Sequence, residues 1–328
     1  MSDMVSFLQD DLQRVEKKLF DCAQSSSKLA TELSVYLIEA GGKRVRPSLC
    51  IVSSQVQDLD SAPVRLEVVK AAVAVELVHI GTLCHDDVMD NATTRRSVPS
   101  VNNRWGDREA ILAGDYLLSR SGEVAAELGS EVASLIARTI ARLCEGQVVE
   151  LESVYDLNRS ESLYEEAIAG KTAVLLSASS RIGAMVNDSP QVVKDALEDF
   201  GYAYGMSFQI VDDILDIVAT DEQLGKPAGN DLLEGVYTLP VIRALSDPDV
   251  GDELRDLLGH RIDEKTRDRA CELIRSTNGV AEAREVAQLW ASRAQAKLEK
   301  LPDTLATESL RTAADQLLDR IDSDQDSF

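Results

Sequence analysis

The sequence is poor in residues that interrupt helices. Its 328 positions hold 18 glycines and 8 prolines, and aromatic residues make up only 4%. Ala, Leu, Val, Glu and Arg fill the space, and most of these favour helix. Strand-like alternation bounded by hairpin turns is hard to find. Basic charge is also short: 34 Lys and Arg stand against 57 Asp and Glu, a net charge of −23. That argues against a nucleic-acid partner and against broad adsorption on an anionic membrane. An anionic substrate stays compatible only where local cations or bound metals reverse the field.

Cysteine is sparse and shows no pairing pattern. Cys22, Cys50, Cys84, Cys144 and Cys271 are odd in number and lack a CxxC spacing, which fits reduced thiols in a cytoplasmic protein. The opening MSDMVSFLQDDLQ has acids where a signal peptide would have a basic region and an apolar core. No uncharged apolar run is long enough to span a membrane, and the greasiest stretch, AAVAVELVHIGTLC, is broken by Glu76 and His79.

What remains is helical periodicity almost everywhere. Apolar residues recur at three and four over about 3–22, 27–40, 46–57, 63–90, 107–128, 130–155, 160–186, 190–219, 236–246, 264–276, 279–299 and 303–321. The connections are short and carry breakers such as Gly41-Gly42, Ser189-Pro190 and Leu301-Pro302. The expectation is a single all-α domain over 1–328, an antiparallel helical bundle with a frayed tail at 321–328. Helices 63–85 and 190–211 are apolar most of the way round and belong in its middle.

Acidic clusters end both of these helices. Asp86-Asp87-Val88-Met89-Asp90 and Asp212-Asp213-Ile214-Leu215-Asp216 share one spacing. On a helix, positions i and i+4 share a face about 6 Å apart along the axis, so Asp86 and Asp90 project together. Carboxylates at the mouth of an apolar helix pack poorly unless they bind cations, and hard oxygen ligands suit Mg²⁺. One such cluster alone reads more readily as a charged helix end; two at equal spacing, each closing a near-continuous apolar helix, do not. An EF-hand is excluded by the missing glycine and glutamate. The counterparts are basic: Gly41-Gly42-Lys43-Arg44-Val45-Arg46-Pro47 and Arg95-Arg96. Glycines let a backbone approach an anion, although each piece alone could be a solvated helix end. His79 alone could be a core histidine. Gly170-Lys171-Thr172 is not a P-loop, because Glu165 stands where the first glycine belongs.

In order, GGKRVRP, HDDVMD with the trailing RR, GKT, FQIVDDILD, LGKPAGND and TLP resemble the trans-isoprenyl diphosphate synthases, or polyprenyl synthetases, from about Gly41 to Pro240. The resemblance implies an isoprenoid-synthase bundle around a deep central cavity, a homodimer, and two substrates, isopentenyl diphosphate and an allylic diphosphate. It implies three Mg²⁺ and a metal-binding set of Asp86, Asp87, Asp90, Asp212, Asp213 and Asp216, in which Asp86, Asp90 and Asp212 match the ligands and Asp213 and Asp216 support Asp212. Arg95, Lys171, Thr172, Gln209 and Lys226 match residues that hold the allylic diphosphate. Gly42, Lys43, Arg46, His79 and Arg96 match those that hold isopentenyl diphosphate. Asp86, Asp90, Asp212 and Lys171 are the expected catalytic set. Val236 departs from the pattern, because the family commonly has lysine there.

Product length should be read deeper on the first helix. Gly81 and Thr82 lie about one turn before Asp86, where short-chain members carry aromatic rings. Val78, Leu77 and Ala74 follow, and none is aromatic. An open route favours a product of thirty to fifty carbons. Gly81 as a mere site of close helix packing would leave room for a twenty-carbon product. A class I terpene cyclase is disfavoured by DDILD and by an idle GGKRVRP. A non-catalytic partner subunit is disfavoured because all six aspartates are present.

Overall fold

Capping chemistry in the sequence sets several helix boundaries. In the computed structural model, which describes residues 8–57, 63–219 and 228–325, helix α1 spans Gln9–Ala23, α2 Lys28–Glu39, α3 Val45–Ser54 and α4 Leu66–Met89. A short ribbon follows, β1 (Thr94–Arg95) against β2 (Val98–Pro99). Then come α5 (Val101–Trp105), α6 (Asp107–Glu127), α7 (Ser130–Glu152), α8 (Glu161–Ile168) and a π turn at Ala169–Ala173. The rest is α9 (Val174–Val186), α10 (Gln191–Val218), α11 (Asn230–Glu234), α12 (Leu239–Ala244), α13 (Gly251–Leu257), α14 (Glu264–Ser276), α15 (Gly279–Leu298) and α16 (Leu305–Gln325). The side chains of Ser27, Ser160 and Asp263 accept from the backbone N–H three residues on and so start α2, α8 and α14.

The all-α expectation holds, with local departures. The segment 160–186 is not one helix, because the π turn interrupts it. The segment 236–246 shrinks to α12, because Gly235 is left-handed at φ 79° and Thr238 is extended. The short helices α5, α11 and α13 are too brief to show a periodic stripe.

The described residues fall into two compact units. One comprises those of Met1–Ala141, Leu175–Gly201 and Lys297–Thr312; the other those of Arg142–Val174, Tyr202–Ala296 and Ala313–Phe328. In the first unit α4 is buried on nearly every face and packs most extensively on α6. The two helices approach closely at Gly81 and Gly114. A Cβ on Gly81 would meet the Gly114 carbonyl and Leu118 at 3.1 Å each, and one on Gly114 would meet His85 Nε2 at 2.3 Å. In the second unit Ile217, Leu232, Tyr237, Val241, Leu254 and Ile274 share an apolar core. No helix among the described residues is long and apolar enough to cross a membrane.

Candidate active site

The first aspartate cluster divides by direction. It closes α4, where the Asp90 N–H donates to the Asp86 carbonyl at 2.8 Å and keeps both side chains on one face. Asp86 and Asp90 are half-buried there. Asp87 turns inward and is 0% exposed. Its Oδ1 accepts from Arg95 Nε and lies 2.7 Å from Nη2, while its carbonyl accepts from Asn102 Nδ2 at 2.9 Å. Its Oδ2 is buried with no hydrogen-bond partner among the described residues. Burial pushes the Asp87 carboxyl up, against the pull of Arg95. Asp87 therefore anchors Arg95.

Arg96 sits at a tight turn. The ribbon pairs Thr94 with Pro99 and Arg95 with Val98, leaving Arg96-Ser97 as a two-residue loop. Both have positive φ, 52° and 62°, as a type I′ turn requires. Side chains other than glycine seldom adopt this conformation, and such strain gathers at functional sites. Tyr36 Oη donates to the Pro99 carbonyl at 2.8 Å and Asn103 to Thr93 at 2.9 Å, pinning the ribbon. Lys43 and Gly42 are exposed, and Arg46 and His79 half-buried. Burial, with Arg46, Arg96, Arg95 and Arg44 around it, holds the His79 imidazole well below its ordinary range. It is neutral near pH 7, within an arginine-rich patch of an acidic protein.

The second cluster, in the other unit, divides in the same way. Asp212 is half-buried and accepts from Arg320 Nη2 at 2.6 Å. Asp213 is buried; its Oδ2 accepts from Tyr164 Oη at 2.6 Å and its Oδ1 from Gln209 Nε2 at 2.8 Å. Thr172 Oγ1 donates to Gln209 Oε1 at 2.7 Å, extending the chain. Burial pushes Asp213 up to about 7, against the Tyr164 and Gln209 hydrogen bonds. Asp216 is buried, and its Oδ2 caps Asp231 N at 3.1 Å. Lys171, on the π turn, pairs with Glu150 at 2.5 Å. Buried Arg159 donates to the carbonyl of Tyr237, next to Val236, at 3.0 Å. Lys226 lies outside the described residues, as do its neighbours Gly225 and Pro227.

Among the described residues no three His, Cys, Asp or Glu side chains converge to hold a metal by themselves. That arrangement still fits Mg²⁺, which is commonly held by one or two carboxylates, water and substrate phosphates rather than by an all-protein cage. Asp86 and Asp90 are such a pair in the first unit, and Asp212 is a half-buried carboxylate of the second. The buried Asp87, Asp213 and Asp216 fit a supporting place behind them.

For product length, Gly81 faces the α4–α6 seam rather than open space. Close packing is the reading its surroundings fit. Val78 is fully buried, and Thr82 is half-buried with its hydroxyl on the His79 carbonyl at 2.9 Å. Sequence reasoning missed Glu76, Arg159, Tyr164 and Arg320 as parts of these networks. Only Glu76 gave a signal, as a lone acid within an apolar helix.

The sequence model of the polyprenyl synthetase family matches residues 27–275. A heptaprenyl diphosphate synthase component 2 from Geobacillus stearothermophilus is 39% identical, over 95% of this chain and 96% of that protein. A Caulobacter crescentus polyprenyl synthase, solved with calcium and isoprenyl diphosphate, superposes with a TM-score of 0.90 at 33% identity, over 96% of each chain. A Corynebacterium glutamicum geranylgeranyl pyrophosphate synthase, solved with the same ligands, gives 0.83 at 36% identity, over 98% of each chain. Coverage of both chains is nearly complete, and the aspartate clusters and basic segments fall inside the matched span. The chain belongs to the polyprenyl synthetase family, the trans-isoprenyl diphosphate synthases, and is a prenyltransferase.

Proposed function

We propose that this chain is a Mg²⁺-dependent synthase that condenses isopentenyl diphosphate with an allylic diphosphate into an all-trans polyprenyl diphosphate of thirty to fifty carbons. The observation that carries this reading is the division within each aspartate cluster. Asp86, Asp90 and Asp212 are half-buried, while Asp87, Asp213 and Asp216 are buried. Both units serve one catalytic domain in this reading. Bound Mg²⁺ would supply Lewis acidity that makes diphosphate a competent leaving group. Arg95, Lys171, Thr172, Gln209 and Lys226 hold the allylic diphosphate. Gly42, Lys43, Arg46, His79 and Arg96 hold isopentenyl diphosphate, with His79 as a neutral hydrogen-bonding group. The allylic carbon–oxygen bond breaks heterolytically, and the isopentenyl double bond attacks the cation. A proton then leaves to the released diphosphate. Fixed cations stabilise the charge that develops, and no side-chain nucleophile is needed.

Support for a long product comes from the lack of aromatic side chains at Val78 and Thr82 and from the heptaprenyl relative. The geranylgeranyl relative supports a twenty-carbon alternative. A cytoplasmic homodimer completes the reading. α7 presents Cys144, Val148 and Leu151 to solvent at helical spacing, an apolar stripe suited to a second copy.

One assay tests the activity and the product length. The purified chain is incubated with isopentenyl diphosphate, Mg²⁺ and primers of ten, fifteen and twenty carbons, and the products are sized. Elongation to thirty carbons or more is expected. A twenty-carbon end point establishes the shorter reading, and no elongation with any primer sinks the reading of a self-sufficient synthase. The relative called component 2 motivates a second reading, in which the chain works only beside a second protein. Turnover by the chain alone removes it.

A further inference from the structure

Glu76 lies on α4, inside the most apolar stretch of the sequence, and is 1% exposed. A carboxylate in that setting is costly unless it is paired and hydrogen-bonded. Its Oε1 stands between two guanidinium groups: Arg44 Nη1 donates at 2.8 Å, and Arg96 Nη2 lies at 3.8 Å. Arg44 points inward, away from solvent. Its Nε donates to Glu16 Oε1, and its Nη2 donates to Glu16 Oε2 and the Ile38 carbonyl, each at 3.1 Å. Nη1 also reaches the Gly41 carbonyl at 3.1 Å. One left-handed residue, at φ 49°, thus ties α1, the end of α2, the Gly41-Gly42 turn and α4 together.

Arg96 is held by the same assembly. Its Nη1 donates to the Leu37 carbonyl at 2.7 Å, beside the Ile38 carbonyl that Arg44 uses. A Cβ on Gly42 would come within 2.9 Å of the Arg96 guanidinium carbon, so only glycine leaves that group its place. Of the three cations in Lys43-Arg44-Val45-Arg46, Arg44 therefore faces the scaffold, not a ligand.

We propose that Glu76 and Arg44 are a positioning pair that fixes Arg96, and with it the anion half-site for isopentenyl diphosphate. This rests on the function proposed above. The Glu76 carboxylate lets two arginines stand close without an anion present. A guanidinium fixed in advance then meets the diphosphate with little ordering cost.

The test uses the full-length variants E76Q, E76D, R44K and D11N. Asp11 is buried on α1, accepts from Arg14 and from Val64 N, and makes no hydrogen bond to Arg44, Glu76 or Arg96, so D11N reports loss of stability alone. Two quantities are read: KM for each substrate, and the isopentenyl diphosphate Kd by titration calorimetry in metal-free buffer. E76Q is expected to raise both isopentenyl diphosphate constants roughly tenfold or more, by analogy with a lost charged contact. KM for the allylic diphosphate should move less than about twofold, because none of its expected contacts is altered. E76D should recover most of the loss, and D11N should lower the melting temperature without moving the isopentenyl diphosphate constants. Unchanged constants in folded E76Q, or an equal rise in D11N, overturn the proposal. Should E76Q not fold, R44K carries the test, since lysine cannot reproduce the fork that spans Glu16, Glu76 and two carbonyls; unchanged isopentenyl diphosphate constants in R44K then overturn it. If the wild type shows no turnover, the functional reading fails on its own. The calorimetric comparison still decides the positioning role.

Discussion

Arg320 donates from Nη2 to Asp212 Oδ1 at 2.6 Å, and its guanidinium carbon lies 5.4 Å from the centre of the Phe208 ring. The accessible carboxylate of the second aspartate cluster thus carries a resident counter-ion. Any metal that reaches Asp212 competes with it. Removing Arg320 should tighten metal binding by a few-fold, because a half-exposed ion pair is worth at most about 1 kcal/mol. R320A is therefore expected to bind Mn²⁺ more tightly, read by electron paramagnetic resonance without substrate, and to reach half-maximal activity at lower Mg²⁺. Equal Mn²⁺ affinity in R320A and wild type would show that the pair does not govern a metal position.

The contrast between Asp212 and Asp213 shows where sequence reading stops. Composition and spacing predict the helices, the two clusters and the basic segments. They do not say which carboxylate faces inward, because the deciding partners are remote: Tyr164 is 49 positions from Asp213, and Arg320 is 108 from Asp212. The ribbon escapes notice because strands of two residues have no alternation to read, and Arg96-Ser97 lacks the Asn-Gly signature of its turn type. Glu76 registers only as a break in an apolar run. Its two arginines come from segments that the sequence treats as separate motifs.

Gly81 was legible as a special position, and its neighbours decide which kind. A Cβ there meets the Gly114 carbonyl and Leu118 at 3.1 Å. G81F is thus expected to wedge α4 from α6 and cost about 1–3 kcal/mol or more, as overpacking does. Thr82 is half-buried, and T82F has more freedom to place a ring. Thermal melts should therefore separate the two variants, and product sizing should show shortening in T82F. A stable G81F with shortened product would return Gly81 to the lining of the elongation route.

Thiol chemistry offers a pH-dependent check. Cys22, Cys50, Cys84 and Cys271 are buried and Cys144 is exposed. One fast-reacting thiol is expected with a disulfide reagent in the native protein, and C144S should abolish that phase. Burial pushes the Cys271 thiol from 9.0 up to about 11. In the unfolded chain it loses its proton first, so its contribution to stability is intact below about pH 9 and lost as pH climbs towards 11. At 1.36 kcal/mol per unit this amounts to roughly 2–3 kcal/mol. C271A should begin less stable yet lose less between about pH 9 and 10.5, measured by denaturant titration. Parallel curves for the two proteins would remove Cys271 as the source.

The α7 stripe tests association. Val148 is 51% exposed and Leu151 49%. Aspartate at either position adds a charge to a face that would be desolvated in a dimer, and charged groups are depleted from interface cores. V148D and L151D are expected to shift the mass in solution from dimer to monomer, read by light scattering, with little change in the helical signal. A wild type that is already monomeric at tens of micromolar would remove the homodimer from the proposal.

Tyr164 tests whether the buried carboxylate behind Asp212 matters to catalysis or only to folding. Its hydroxyl donates to Asp213 at 2.6 Å, and Asp213 continues through Gln209 to Thr172. Both Gln209 and Thr172 are expected contacts of the allylic diphosphate. Y164F keeps the ring and removes one donor, leaving a buried carboxylate oxygen without that partner at a cost of about 1–3 kcal/mol. If the chain only supports folding, Y164F lowers the melting temperature and leaves KM values unchanged. If it also sets Gln209 and Thr172, the KM for the allylic diphosphate rises, while that for isopentenyl diphosphate stays put. Its expected contacts belong to the other unit. The second outcome is expected, because Gln209 uses its amide to donate to Asp213 and its carbonyl to accept from Thr172. Loosening Asp213 therefore frees both ends of that relay.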